Sequence, residues 1–194
     1  VLFLHSLDQK HIISGFSEVI KYGLIFDNNM FKNIKQNFKE LISLNNLQEL
    51  ERNIYQCCML KTNIIVKDEF DHNKRMLLNF GHTIGHALES YYQYKNIAHG
   101  EAVYYGMISE SYISWKLDFL SENNYNNIHN FIDTIPKTKL HNINIEKLKK
   151  HLLYDKKRIG NKNNFIILNN IGSAMIKNNI PESIIDKSLK LLIN

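Results

Sequence analysis

Cysteine and proline are nearly absent: each occurs twice in 194 residues. The cysteines, Cys57 and Cys58, are neighbours, a spacing unsuited to an ordinary structural disulfide and outside any Cys-x-x-Cys metal pattern. A disulfide scaffold and a thiolate zinc module are thereby excluded, and both thiols are expected to be reduced and in the core. Only Pro136 and Pro181 interrupt helical stretches. No run approaches the ~20 apolar residues that a spanning helix needs, and no basic-then-apolar leader opens the chain. A cytoplasmic protein with no membrane partner is expected. The chain begins at Val1 without an initiator Met and is read as an interior piece of a longer polypeptide. There is no large charge excess either, with 24 Lys and Arg against 19 Asp and Glu. The basic stretches Lys147 to Lys150 and Lys156 to Arg158 lack the aromatic interleaving of a single-strand nucleic-acid platform, so no nucleic-acid partner is expected.

A hydrophobic content of 44% suits one globular domain covering residues 1–194. Helical periodicity dominates. Ser14 is a candidate cap for a helix through Val19, Ile20 and Leu24; others are expected over Phe31 to Leu44, Leu47 to Val66, Met76 to Tyr92, Gly100 to Trp115, Glu122 to Thr134 and Ile145 to Tyr154. The Leu47 helix gathers Leu47, Leu50, Ile54, Cys57, Cys58 and Ile64 at spacings compatible with one buried side, as a central strut would. Asn164 to Leu168 and Ser173 to Lys177 flank Asn169-Asn170-Ile171-Gly172, a hairpin signal, and Pro181 opens a last helix. The fold class is mainly α with a small β-hairpin near the C-terminus.

Three segments carry chemistry. In Ser14-Gly-Phe-Ser-Glu-Val-Ile-Lys21, Glu18 and Lys21 share a helix face, for which an exposed ion pair is the plainest account. In Asn79-Phe-Gly-His-Thr-Ile-Gly-His86, His82 and His86 are one helical turn apart and can face a common cavity. Gly81 and Gly85 beside them suggest the close approach of a ligand or a neighbouring helix; two satisfied core histidines are the plainer alternative. In His99-Gly-Glu-Ala-Val103, His99 precedes a helix start that Glu101 favours. Glu18, His82 and His99 together make the nitrogen and oxygen set of a catalytic zinc site with an open position. These residues alone point to a metal-dependent enzyme acting on a polar, anionic small molecule.

Taken in order, residues 14–25, Lys61 with Asp68-Glu69, the run Arg75-Met-Leu-Leu-Asn-Phe-Gly-His-Thr-Ile-Gly-His-Ala-Leu-Glu89, His99 to Val103 and Asp155-Lys156-Lys157 resemble the 3-dehydroquinate synthase family over nearly the whole chain. The resemblance implies the helical C-terminal half of a two-domain, dimeric lyase whose N-terminal half binds NAD. It implies Glu18, His82 and His99 as ligands of zinc or cobalt. Lys21, Lys61, Arg75, Asn79, His86 and Lys156 or Lys157 would line the pocket for a phosphorylated sugar acid, with His86, Lys21 and Lys61 nearest the chemistry. The substrate implied is 3-deoxy-D-arabino-heptulosonate 7-phosphate, converted to 3-dehydroquinate and phosphate in the shikimate pathway. Ser17 stands where the family often has Ala, and Asp71 where a Glu is common. Without the NAD half, no turnover is expected from the chain alone. Competing readings are a related sugar-phosphate cyclase, a metal-dependent polyol dehydrogenase domain, and a non-catalytic remnant serving as an interaction module.

Overall fold

The computed structural model describes residues 1–68, 74–141, 143–158 and 164–193, with side chains described for all of these except 67 and 153–158. After a short 3-10 helix at Leu2–Ser6, the chain forms α1 (Gln9–Phe26), α2 (Asn28–Ile42) and α3 (Leu47–Lys67). A second 3-10 helix, Lys74–Asn79, leads into α4 (His82–Tyr91). Then follow α5 (His99–Lys116), α6 (Glu122–Asp133), α7 (Ile145–Arg158), the strands β1 (Phe165–Asn170) and β2 (Ser173–Lys177), and α8 (Glu182–Lys190). The fold is mainly α with an antiparallel hairpin near its C-terminal end, as the periodicity predicts.

The helix starts follow local chemistry, though not always at the expected residue. Asp8 caps α1 by accepting the His11 amide at 2.9 Å, six residues ahead of Ser14, and Asp27 caps α2 through the amides of Asn29 and Met30. Each short carboxylate takes amides that the first helical turn cannot satisfy internally. Ser14 instead lies inside α1, where its hydroxyl accepts the Gly100 amide at 3.1 Å and clasps α1 to the start of α5. In the hairpin, Phe165 pairs with Lys177 and Leu168 with Ala174, with an irregularity between Leu168 and Asn170. Gly172 takes φ +87° at the turn, and its amide donates to the Leu24 carbonyl at 2.7 Å, pinning the hairpin to α1.

The central element is α5, not α3. Residues 100–114 of α5 are buried without a break, which requires neighbours on every side. Val103, Tyr104, Met107 and Ile108 face a core shared with α1, α2 and α6, including the edge-to-face rings of Phe16, Phe31, Phe38 and Phe131. Ala102, Tyr105 and Ile113 face a second core with Ile84 and Leu88 of α4, Leu148 and Leu152 of α7, Phe165 and Ile167 of β1, and Leu189 of α8. The strut expected of α3 is only partly buried: Leu50 and Ile64 are covered, Cys57 is intermediate, and Cys58 is exposed. Both thiols are free, but Cys58 is no core residue, because at its position the helix turns away from α1 and α2.

Helices α4 and α5 meet backbone to backbone. A Cβ at Gly85 would lie 3.3 Å from the Ala102 carbonyl group, and one at Gly106 would overlap the Gly81 carbonyl. The glycines beside the histidines therefore serve the approach of a neighbouring helix, one of the two uses their presence suggests. Gly106→Ala should force these helices apart and destabilise the chain by about 3 kcal/mol, at the upper end of overpacking costs, which urea unfolding would measure. A midpoint equal to the parent's would mean the contact yields without cost.

Candidate metal centre

Three helices bring their polar side chains to one corner. From α1, Lys21 donates to Glu18 Oε2 at 2.6 Å, with the Lys21 side chain 4% exposed and that of Glu18 41%. This is not the exposed surface pair that spacing favours, because the ammonium lies inside the fold. Burial pulls the Lys21 ammonium below its ordinary range, Glu18 opposes this, and the Lys61 charge on α3 adds to the depression. For Glu18, burial would raise the carboxyl, but His82 and Lys21 outweigh it and hold it at about 2. Glu18 is thus an anion at neutral pH. Its second oxygen, Oε1, is buried without a hydrogen-bond partner, and His82 Nε2 lies 3.4 Å from it.

From α4 come His82 and His86. The helix does not run from Met76, because Gly81 takes φ +79° and becomes its N-cap, so His82 is the first helical residue. A left-handed residue cannot continue a right-handed helix, and glycine adopts it at little cost. The His82 Nδ1 sits 3.1 Å from the Phe80 carbonyl. A carbonyl only accepts, so Nδ1 carries a proton, and Nε2, which faces Glu18, is the nitrogen left to meet a metal once no proton stands between it and the carboxylate. His86 is exposed one turn further, its ring centroid 5.3 Å from that of His82.

From α5 comes His99, its first residue, with a ring centroid 5.3 Å from His82 and 6.2 Å from His86. Glu101 closes the helix start: its carboxylate accepts the Ala98 amide at 2.9 Å and the Thr138 amide at 3.0 Å. One donor atom from each of Glu18, His82 and His99 lies within 4.8 Å of the others, and His86, Glu89 and His99 form a second such group. The Oε1 of Glu18, which accepts no hydrogen bond of good geometry, the Nε2 of His82 facing it at 3.4 Å and the mixed nitrogen and oxygen set fit a divalent metal of the zinc or cobalt type.

The remaining candidates fall on α3, the second 3-10 helix and α7. Lys61 is exposed on α3. Half-buried Arg75 and exposed Asn79 sit on the 3-10 helix entering α4, where the Arg75 amide donates to Asp68 Oδ2 at 3.0 Å. Lys156 and Lys157 fall on α7, but their side chains lie outside the described residues, as do Glu69 and Asp71. Two carboxylates escaped the sequence reading. Glu89 stands seven residues after His82 and three after His86, hence on their face of α4, and accepts from His99 Nδ1 at 3.1 Å. That spacing was a usable signal. Glu110, fully buried on α5, accepts the Gly81 amide at 2.7 Å and so caps α4 from another helix, which no local pattern discloses.

The fold is shared with solved synthases that carry NAD+ and a divalent metal. The chain superposes on 2-epi-5-epi-valiolone synthase from Streptomyces hygroscopicus, solved with NAD+ and Zn2+, at a TM-score of 0.80 and 22% identity, covering 98% of this chain and 53% of that one. It superposes on 2-deoxy-scyllo-inosose synthase, solved with carbaglucose-6-phosphate, NAD+ and Co2+, at a TM-score of 0.81 and 21% identity, covering 95% and 53%. Sequence narrows this class. Residues 15–158 match the family model of the 3-dehydroquinate synthase C-terminal domain, and the chain belongs to that family. It is 38% identical to the 3-dehydroquinate synthase of Clostridium acetobutylicum over 183 residues, 91% of this chain and 49% of that protein. It is 34% identical to that of Buchnera aphidicola over 190 residues, 97% and 53%. The chain thus spans about half the length of the curated relatives it matches. No helix among the described residues is long and apolar enough to cross a membrane.

Burial pushes the Glu110 carboxyl up to about 8, against the pull of the amides of Gly81, Ile84 and Thr83 and the Thr83 hydroxyl. Between its ordinary value of 4.5 and about 8, the folded chain keeps a proton that the unfolded chain has shed. Stability from this group therefore falls as pH rises through that window, by at most about 1.4 kcal/mol per pH unit. Glu110→Gln should unfold with a shallower decline, the gap to the parent shifting in its favour as pH rises. Parallel urea-unfolding curves across that range would refute the assignment.

Proposed function

We propose that this chain is the metal- and substrate-binding half of a 3-dehydroquinate synthase, a carbon–oxygen lyase acting on 3-deoxy-D-arabino-heptulosonate 7-phosphate with NAD held mainly by an N-terminal half. The observation that carries the reading is the convergence of Glu18, His82 and His99 within 4.8 Å, on the chain of a family member. These three would hold zinc or cobalt. When bound, the cation supplies Lewis-acid polarisation of a substrate hydroxyl, and the nucleotide supplies a hydride acceptor.

The chain's own residues supply the rest. Lys21, buried against Glu18, keeps positive charge beside the ligand carboxylate and limits its movement. Lys61 and Arg75 offer a point charge and a planar fork to the anionic ends of the substrate. Asn79 and the Asp155-Lys156-Lys157 run are assigned to the phosphate end by the family resemblance. His86, exposed one turn from His82, takes and returns a proton at its imidazole. Identities of 38% and 34% to named synthases, against 22% and 21% to the other cyclases, favour this substrate over theirs.

Zinc and cobalt titrations of the purified chain test the site. Glu18→Ala, His82→Ala and His99→Ala should each weaken binding by more than the about 10- to 100-fold typical of an outer-shell change, while His86→Ala should bind as the parent does. Fused to a nucleotide-binding half, the His86→Ala variant should then bind metal yet lose turnover. A parent chain that binds neither metal, or equal losses in all four variants, would refute the assignment.

A further inference from the structure

The reading of Glu18, His82 and His99 as ligands leaves open what holds the exposed member of the set. His82 is fixed by the Phe80 carbonyl at its Nδ1 and by burial within α4. His99 has no such cover: its side chain is 49% exposed, at the first residue of α5. An imidazole so placed would exchange tautomers and rotate freely, offering either nitrogen to a ligand. Its Nδ1, however, lies 3.1 Å from Oε1 of Glu89, whose own side chain is only 11% exposed. Glu89 comes from the last turn of α4, the helix locked to α5 by the Gly85 contact, and its burial leaves the carboxylate little freedom of its own.

We infer that Glu89 is a positioning residue for His99. Its carboxylate accepts a hydrogen bond from Nδ1–H, holds the ring at the start of α5, and leaves Nε2 as the nitrogen with a lone pair for the cluster with Glu18 and His82. The two histidines are thereby prepared alike, each with an acceptor at Nδ1: a backbone carbonyl for His82 and a carboxylate for His99. A carboxylate behind a ligating imidazole fixes its orientation and raises its basicity. The second group, His86, Glu89 and His99, offers the rival role of a ligand in a separate cation site. The Nδ1 contact argues against it, because a nitrogen that donates to Glu89 has no lone pair for a cation between them.

This inference rests on the ligand reading, and the test separates the two. In metal-free chain at alkaline pH, nitrogen-15 spectra report the His99 tautomer, assigned with His99→Gln. The parent and Glu89→Gln, whose amide oxygen still accepts, should show Nδ1–H. Glu89→Ala, or Glu89→Met should that variant not fold, should shift toward the Nε2–H form. In cobalt titrations, Glu89→Ala should lose about 10- to 100-fold in affinity and Glu89→Gln less, with one equivalent bound per chain throughout. An unchanged tautomer and affinity in Glu89→Ala would overturn the inference. So would a second equivalent in the parent that vanishes with Glu89→Gln, since Glu89 would then be a ligand itself. A parent that binds no cobalt defeats the ligand reading, while the tautomer spectra still decide for or against Glu89.

Discussion

Everything at the candidate centre depends on how closely α4 can approach α5. His82 opens one helix and His99 the other, so the distance between their rings follows from the helix packing rather than from either side chain alone. Gly85 and Gly106 remove the side chains that would hold the backbones apart, and Gly81 adds the left-handed turn that ends the 3-10 segment and starts α4 at His82. A single Cβ in this seam would press on the facing backbone and force the two helix starts that carry His82 and His99 apart. The Ser14 hydroxyl on the Gly100 amide then registers α1, and with it Glu18, against the same corner. Glycines that cost helix propensity are tolerated because α5 is buried on every side and its position is over-determined by two cores.

Much of the fold was legible. The mainly helical class, the hairpin and the spans of α3, α5 and α6 follow from apolar periodicity and turn chemistry, which are local. The boundaries that moved did so for identifiable reasons. Asp8 caps α1 ahead of Ser14, Asp27 starts α2 ahead of Phe31, and Gly81 broke a periodic stretch that read as one helix. The mistaken weight given to α3 has the same root: one amphipathic face is visible in sequence, but which helix lies between two cores is a property of the assembled chain. α5 announces itself only by lacking a polar face.

The candidate site was legible in its chemistry and not in its environment. His82, His86 and His99 stand out by type and spacing, and the family resemblance joins them to Glu18. The burial of Lys21 could not be foreseen, because an i, i+3 pair on a helix looks the same whether the face is wet or covered. Glu89 was within reach of the same helical-face reasoning that paired His82 with His86. Glu110 was not, because a carboxylate that caps a different helix has no sequence relation to the amides it meets.

Charge and packing at this corner are parts of one arrangement. Three carboxylates, on Glu18, Glu89 and Glu110, act at three depths. Glu18 is paired with a buried ammonium and keeps one oxygen without a partner. Glu89 is spent on a histidine, and Glu110 on the helix start that carries another. Leaving a buried carboxylate oxygen unpaired costs free energy unless something else meets it. Glu18 Oε1 and Glu110 Oε1 are both such oxygens, and of the two it is Glu18 Oε1 that lies beside His82 and within the cluster that His99 completes. The donors come from α1, α4 and α5, and α5 packs on both of the others within this chain. The proposed metal set therefore needs no residue from elsewhere, so metal binding can be tested on this chain separately from turnover.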